Sequence, residues 1–266
     1  MRVHVVGAAA AGCPGLPLST FVVDDRLAVD AGGLGWFDAP ARQAAVRDVL
    51  LTHAHLDHIT GLPGFLENVY GLAAEPPRVW ATGPTLRALR EHLFNDTLMP
   101  DFVALSDGGD RFPFLRLCEL TPGRAASVGG YDVTPFAVRH PIPCVAYLID
   151  DGATAVAVVT DTAPVPDVVD AVAAAPRLGA VFLEASFPDA EAKLATISGH
   201  LTSSLFLELA GRLPADVPVY AVHVKPRFAE QVAAEVAAGG LANVSMAATG
   251  QVVEVGPKAA RRVAAR

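Results

Sequence analysis

Apolar residues fall along this chain in short runs, broken by turn residues, whose period switches between that of strands and that of helices. Runs at 3–6, 20–23 and 27–29 predict three successive strands. Turn residues at 12–17 and Asp24-Asp25 part them, and Asp30-Ala31-Gly32-Gly33 closes this opening sheet. Residues 38–46 predict a short helix, with Asp38 as N-cap and Pro40 in its first turn. Val49-Leu50-Leu51 reads as a buried strand, 62–72 as a helix and 79–81 as a strand. A further helix starts at Thr82-Gly83-Pro84 and runs through Leu86, Leu89 and Leu93, and 96–110 reads as irregular. Alternation then predicts strands at 114–120 and 131–138, and a hairpin of 145–149 with 155–159 across Asp150-Asp151-Gly152. Helices at 166–175, 202–213 and 227–238 alternate with strands at 180–183, 217–222 and 252–255, and the basic stretch 258–266 reads as a solvated terminus. There is no repeat of fixed period and no dividing linker. Residues 1–266 are therefore expected to form one α/β domain of two sheets covered by helices, with a cap-like segment at about 91–112.

Composition narrows the picture modestly. The 266 residues are 52% hydrophobic and only 7% aromatic, which suits a core of Val, Ala and Leu. A net charge of −8 argues against a nucleic-acid duplex as partner, because phosphate backbones need clustered Lys and Arg. Bound metal ions would still make a small anion acceptable. The three cysteines, Cys13, Cys118 and Cys144, form no CxxC pair and fit a reducing compartment. The N-terminus runs straight into a strand without the pattern of a signal peptide, and no apolar run is long enough to span a bilayer. A soluble, cytoplasmic protein without membrane partners is expected.

One segment carries chemistry. His53-Ala54-His55-Leu56-Asp57-His58 places three histidines and a carboxylate within six residues, directly after an apolar strand and before a helix. Loops at strand ends are where α/β folds hold sites, and imidazole with carboxylate suits zinc and similar divalent ions. His53 and His55 can face one ion while Asp57 and His58 turn toward another. Further strand-end residues follow in order: His140 after an alternating strand, Asp161 after Val158-Val159-Thr160, and His223 after Tyr220-Ala221-Val222.

This order resembles the metallo-β-lactamase superfamily, whose HxHxDH signature matches 53–58. The resemblance implies an αβ/βα four-layer sandwich with two metals at one edge. His53, His55 and His140 would hold the first ion, Asp57, His58 and His223 the second, and Asp161 would bridge them. The ions would be zinc first, with manganese or iron as alternatives.

The later segments Phe182-Leu183-Glu184-Ala185-Ser186, Ser198-Gly199-His200 and His223-Val224-Lys225-Pro226 resemble the phosphodiesterase branch, which includes tRNase Z and the class II cyclic nucleotide phosphodiesterases. That likeness implies that Glu184 orients His200, which donates a proton to the departing oxygen, while Asp57 ligates metal and orients the nucleophile. Residues 53–62, the segment Glu91–Phe102 and the His223–Pro226 close are similar to the class II family in particular. Its opening Gly7, Pro14, Ser19 and Asp30-Ala31-Gly32 are similar too. Pro63-Gly64-Phe65 and Met99 depart from its pattern. The implied reaction is metal-dependent hydrolysis of 3′,5′-cyclic nucleotides, cAMP or cGMP, to 5′-nucleotides. The implied partner is a small phosphodiester, with a homodimer as the default oligomer.

Three other readings compete. A tRNase Z would normally carry a long Gly/Pro-rich arm, which is missing here. A thioesterase or lactonase would have less use for Glu184 and His200, because its leaving groups are less demanding. A non-catalytic metal-binding module would not need all seven ligands. Outside the motif, His4 and Cys144 read as structural and His92 as a surface residue. Gly32-Gly33-Leu34-Gly35 lacks the helix and acidic partner of a dinucleotide site.

Overall fold

The structure is a computed structural model that describes residues 1–13, 15–109 and 113–257. Pro14, the end of the 91–112 segment and the basic stretch 258–266 lie outside the described residues. The first half contributes β1 (Arg2–Gly7), β2 (Thr20–Val23), β3 (Leu27–Val29), β4 (Asp48–Leu50), β5 (Arg78–Ala81) and β6 (Arg116–Glu119). Then come β7 (Ala126–Val128), β8 (Tyr131–Val138), β9 (Cys144–Asp150), β10 (Ala155–Val159), β11 (Leu178–Glu184), β12 (Val219–Val222) and β13 (Val244–Met246), and β14 (Val252–Glu254) returns to pair with β1. Two seven-stranded sheets result, ordered β14-β1-β2-β3-β4-β5-β6 and β13-β12-β11-β10-β9-β8-β7.

The central strands β2, β3, β4, β10 and β11 are buried on both faces, which is why they are written as apolar runs rather than as strict alternation. Side chains alternate across the pleat. Phe21, Val23, Val156, Val158 and Phe182 therefore meet between the sheets, whereas Val22 faces an outer cluster with Leu62, Phe65 and Leu66. Ala157, Val159 and Leu183 face the other outer layer, with Val169, Phe206, Leu209 and Val232. The layers are helix, sheet, sheet, helix. Full burial of a ring such as Phe182 contributes about 2–3 kcal/mol, so the inter-sheet core holds the two strand-end clusters in one place.

The helices are α1 (Pro40–Gln43), α2 (Leu56–Ile59), α3 (Leu62–Val69), α4 (Gly83–Ala88), α5 (Phe102–Asp107), α6 (Pro166–Ala173), α7 (Ala192–Ser198), α8 (Ser203–Ala210) and α9 (Ala229–Ala238). Several expectations need correction. Ala39, not Asp38, is the N-cap of α1, and Asp38 instead accepts the Ala39 N–H at 2.7 Å. The helix after Thr82 does not stay α-helical. It widens into a π turn at Leu89–Leu93, where the Phe94 N–H reaches back to the Leu89 carbonyl at 2.8 Å. The stretch expected to be irregular contains α5, whose N-cap Asp101 accepts the Ala104 N–H at 2.8 Å. Helix α7 and strands β7 and β13 were not expected at all. Within 91–109, Leu93, Phe94, Phe102 and Val103 are buried in the outer cluster around α3. Among the described residues, no helix is long and apolar enough to cross a membrane.

Candidate metal centre

Strands β3 to β6 run parallel, as do β10 to β13. Parallel strands bring their carboxyl ends to one edge, where crevices form. His53 and His55 follow β4, His140 follows β8, Asp161 follows β10, Glu184 ends β11 and His223 follows β12. Asp57 and His58 lie on α2, which starts inside the motif. Three buried residues here adopt left-handed backbone: Asp30 (φ 58°), Asp161 (φ 53°) and His223 (φ 58°). L residues adopt this conformation at a cost of about 1–2 kcal/mol, so the surrounding contacts must hold it.

The side chains fall into two groups that share Asp161. His53, His55, His140 and Asp161 form one, and Asp57, His58, Asp161 and His223 the other, with ligand-type atoms within 4.8 Å of each other in each group. In the first, His53 Nε2 lies 2.9 Å from His55 Nδ1, and His140 Nε2 lies 3.1 Å from the same atom. In the second, His58 Nε2 and His223 Nε2 are 3.2 Å apart, and Asp57 Oδ2 is 3.3 Å from His223 Nε2. Asp161 divides its oxygens between them. Oδ2 is 3.5 Å from His53 Nε2, while Oδ1 is 3.2 Å from His58 Nε2 and 3.1 Å from His223 Nε2.

These residues fit two divalent ions. Nitrogens bound tetrahedrally at about 2.0 Å sit about 3.3 Å apart, close to the spacings above. Asp161 Oδ1 is buried and accepts no well-formed hydrogen bond, an arrangement that is costly unless a cation takes its place. Burial, the largest influence, holds His53, His55 and His140 below the usual imidazole range. This favours the neutral form that ligation requires. Burial works to raise Asp57 and Asp161, but the facing histidines outweigh it and keep both below the usual carboxylate range. Burial tends to lower His58, but Asp161 and Asp30 outweigh it and push it well up; the two carboxylates favour a positive charge here, which a bound cation would supply in place of the proton.

Neighbouring polar groups orient these side chains. Asp30 Oδ2 accepts from His58 Nδ1 at 2.7 Å, while Oδ1 accepts the Thr52 N–H at 2.8 Å. Thr52 Oγ1 is 3.0 Å from His53 Nδ1. The Gly199 carbonyl accepts from His140 Nδ1 at 3.2 Å, and Ser186 Oγ is 3.1 Å from His223 Nδ1. Such partners fix the ring tautomer and leave the other nitrogen for metal. Sequence reasoning gave Asp30, Thr52 and Ser186 no such role. Asp30 and Ser186 fall in segments that carry the family resemblance, but neither pattern nor spacing marks them, or Thr52, as partners of a particular histidine. Two glycines are needed by shape. A Cβ on Gly32 would lie 2.0 Å from the Asp57 carbonyl oxygen, and Gly199 ends α7 at φ 70° with Pro141 against it.

Glu184 and His200 stand beside the second group. His200 Nδ1 is 3.1 and 3.2 Å from the two Glu184 oxygens. Glu184 also accepts the backbone N–H groups of Thr162 and Leu201 and the Ser186 hydroxyl, so a fully buried carboxylate is fully satisfied. Burial tends to raise Glu184, but His200 wins and lowers it; burial tends to lower His200, but Glu184 raises it. The Glu91–Phe102 segment brings no side chain into either ligand group, and its His92 is exposed.

A helix-sheet-sheet-helix sandwich with seven His and Asp side chains of metal-ligating type gathered at one edge is the arrangement of a dinuclear metallohydrolase. The family model described as a beta-lactamase superfamily domain matches residues 31–224. The chain belongs to the metallo-β-lactamase superfamily, a family of metal-dependent hydrolases. It is 33% identical over 100 residues to 3′,5′-cyclic-nucleotide phosphodiesterase 1 of Saccharomyces cerevisiae, covering 36% of this chain and 26% of that protein. It is 32% identical over 99 residues to ribonuclease Z of Gemmatimonas aurantiaca, covering 36% of this chain and 28% of that protein. The matches thus span under a third of either relative's length. The crystal structure of unliganded yeast PDE1 superposes with a TM-score of 0.76 at 18% identity, covering 94% of this chain and 98% of that one, which shows a common fold.

Proposed function

We propose that this protein is a dinuclear phosphodiesterase that hydrolyses 3′,5′-cyclic nucleotides to 5′-nucleotides, with zinc as the first choice of metal. The observation that carries the reading is the buried Glu184–His200 pair set against a seven-residue ligand cluster. His53, His55 and His140 would hold one ion, Asp57, His58 and His223 the other, with Asp161 between. When bound, two such ions supply Lewis acidity toward phosphoryl oxygens and acidify a water. Asp57, the more exposed carboxylate of the cluster, would orient the attacking water. Glu184 holds the proton of His200 on Nδ1 and stabilises the imidazolium, so Nε2 is the atom that passes a proton to the departing 3′-oxygen. An alkoxide leaves poorly at neutral pH without that proton. Esters and thioesters have less need of it, which favours a phosphodiester.

One curated relative is named for cyclic nucleotides and another as a ribonuclease. A net charge of −8 favours the smaller substrate. The three free cysteines suit a reducing, cytoplasmic setting. The test is a chromatographic assay of metal-loaded protein with cAMP, cGMP and bis-p-nitrophenyl phosphate, with and without chelator. Chelator-sensitive formation of the 5′-monophosphate is expected. Turnover of the generic diester alone would retain the chemistry and discard the cyclic nucleotide, and no turnover of any would overturn the reading.

A further inference from the structure

Beside this site lies a cation that neither the ligand cluster nor the Glu184–His200 pair employs. Lys225 is half-buried, two residues beyond His223. Its Nζ rests 5.3 Å from the centre of the Phe187 ring. Phe187 is itself almost fully buried and packs against His200 at 5.9 Å. Among the described residues, no carboxylate lies within ion-pairing distance of Lys225.

The platform under Lys225 is rigid. Its own N–H donates to the Ser186 carbonyl at 3.2 Å, and Ser186 is the residue that joins Glu184 to His223. Phe187 is fixed on both sides, its N–H donating to Leu201 and its carbonyl accepting from Ser203. Pro226 follows at once and opens a 3-10 turn that Lys225 caps. A flexible surface lysine would be free to swing into water. This one is tied at its backbone to the residues that position the proton donor.

A half-buried ammonium with no counter-charge is unfavourable. A cation–π contact on a ring offsets only a small part of that cost. The arrangement becomes favourable when an anion binds beside the ammonium. We propose that Lys225 is a substrate-binding residue that pairs with a negatively charged phosphoryl oxygen on the His200 side of the site. This deepens the phosphodiesterase reading and rests on it for the identity of the anion. It makes the site selective for substrates that keep a negative charge through the reaction, and it predicts weak handling of neutral esters.

Inorganic phosphate is the probe. Its dissociation constant is measured calorimetrically on metal-loaded wild type, Lys225→Met and Lys225→Arg, each at matched metal content. Met keeps an unbranched stem and packs well on a ring, so only the charge is lost. Lys225→Met should weaken phosphate binding on the order of tenfold to a hundredfold, the usual range for a hydrogen bond to a charged group. Lys225→Arg should recover most of it, and added salt should narrow the difference. With bis-p-nitrophenyl phosphate the loss should appear in KM more than in kcat. Unchanged phosphate affinity in Lys225→Met, with only a lower melting temperature, would overturn the proposal and leave Lys225 a packing residue. Should Lys225→Met fold poorly, Lys225→Gln is titrated in its place and read the same way. Wild type that binds phosphate in a Lys225-dependent manner but cleaves no diester would sink the phosphodiesterase reading while leaving this one standing.

Discussion

Asp30 and His58, 28 residues apart in the chain, are joined by a 2.7 Å hydrogen bond between Oδ2 and Nδ1, and both side chains are fully buried. The bond leaves Nε2 of His58 facing His223 and Asp161. Asp30→Ala should therefore weaken metal binding by about 10–100-fold, the usual effect of removing such a partner. It should also lower stability, since the Thr52 N–H loses its acceptor as well. Metal occupancy titrated at buffered free zinc checks this. Wild-type affinity in a folded Asp30→Ala protein would show that His58 is oriented by something else.

Glu184 and His200 give a kinetic prediction. His200→Ala should cut kcat by roughly 10²–10⁴-fold on a substrate with an alkoxide leaving group. The same change should matter much less for p-nitrophenolate, which departs without a proton. Glu184→Gln should act in the same direction and more weakly. Both variants should keep their metals, measured by elemental analysis. Equal losses on the two leaving groups would sink the proton-donor role.

Asp161 and His140 differ in reach. Asp161 offers an oxygen to each group, whereas His140 belongs to the first alone. Asp161→Ala should deplete both ions, and His140→Ala about one of the two. The bound stoichiometry after dialysis distinguishes them. Retention of both ions by Asp161→Ala would mean that the carboxylate does not bridge.

Tyr131 supplies a pH prediction away from the site. Its hydroxyl donates to Asp24 Oδ2 at 2.7 Å and accepts from Arg26 Nη2 at 3.0 Å, tying β8 to the turn between β2 and β3 across the two sheets. Burial, then the Asp24 hydrogen bond, push its pKa up to about 12. The folded protein thus holds this proton more tightly than the unfolded chain, where tyrosine titrates near about 10. The resulting stability is complete below that pH and is lost as pH rises toward 12. In urea unfolding, the advantage of wild type over Tyr131→Phe should shrink over that window. A constant difference across it would contradict the assignment.

The legible part of this protein was written locally. The ligand motif could be read because three imidazoles and a carboxylate in six residues have few other uses, and because each later ligand follows an apolar run. Strands buried on both faces are likewise plain, and β3 and β10 fall where the apolar runs put them, as β8 falls where the alternation does. Short helices are less so. Helices α5 and α7 have too few turns to establish a period, and they depend on Asp101 and Gly199 at their ends.

What the sequence determined by itself was the set of elements that bury apolar faces, and the residue types that bind metal. Only the tertiary structure decided how the ligands divide, with Asp161 between two groups, and which ordinary-looking polar residues serve them. Asp30 meets His58 across 28 positions and Ser186 meets His223 across 37. Those two contacts join the ends of neighbouring parallel strands, β3 with β4 and β11 with β12, whereas His58 meets His223 across 165 positions only because the two sheets pack face to face. No local pattern encodes that distance, since it depends on the whole inter-sheet core being formed.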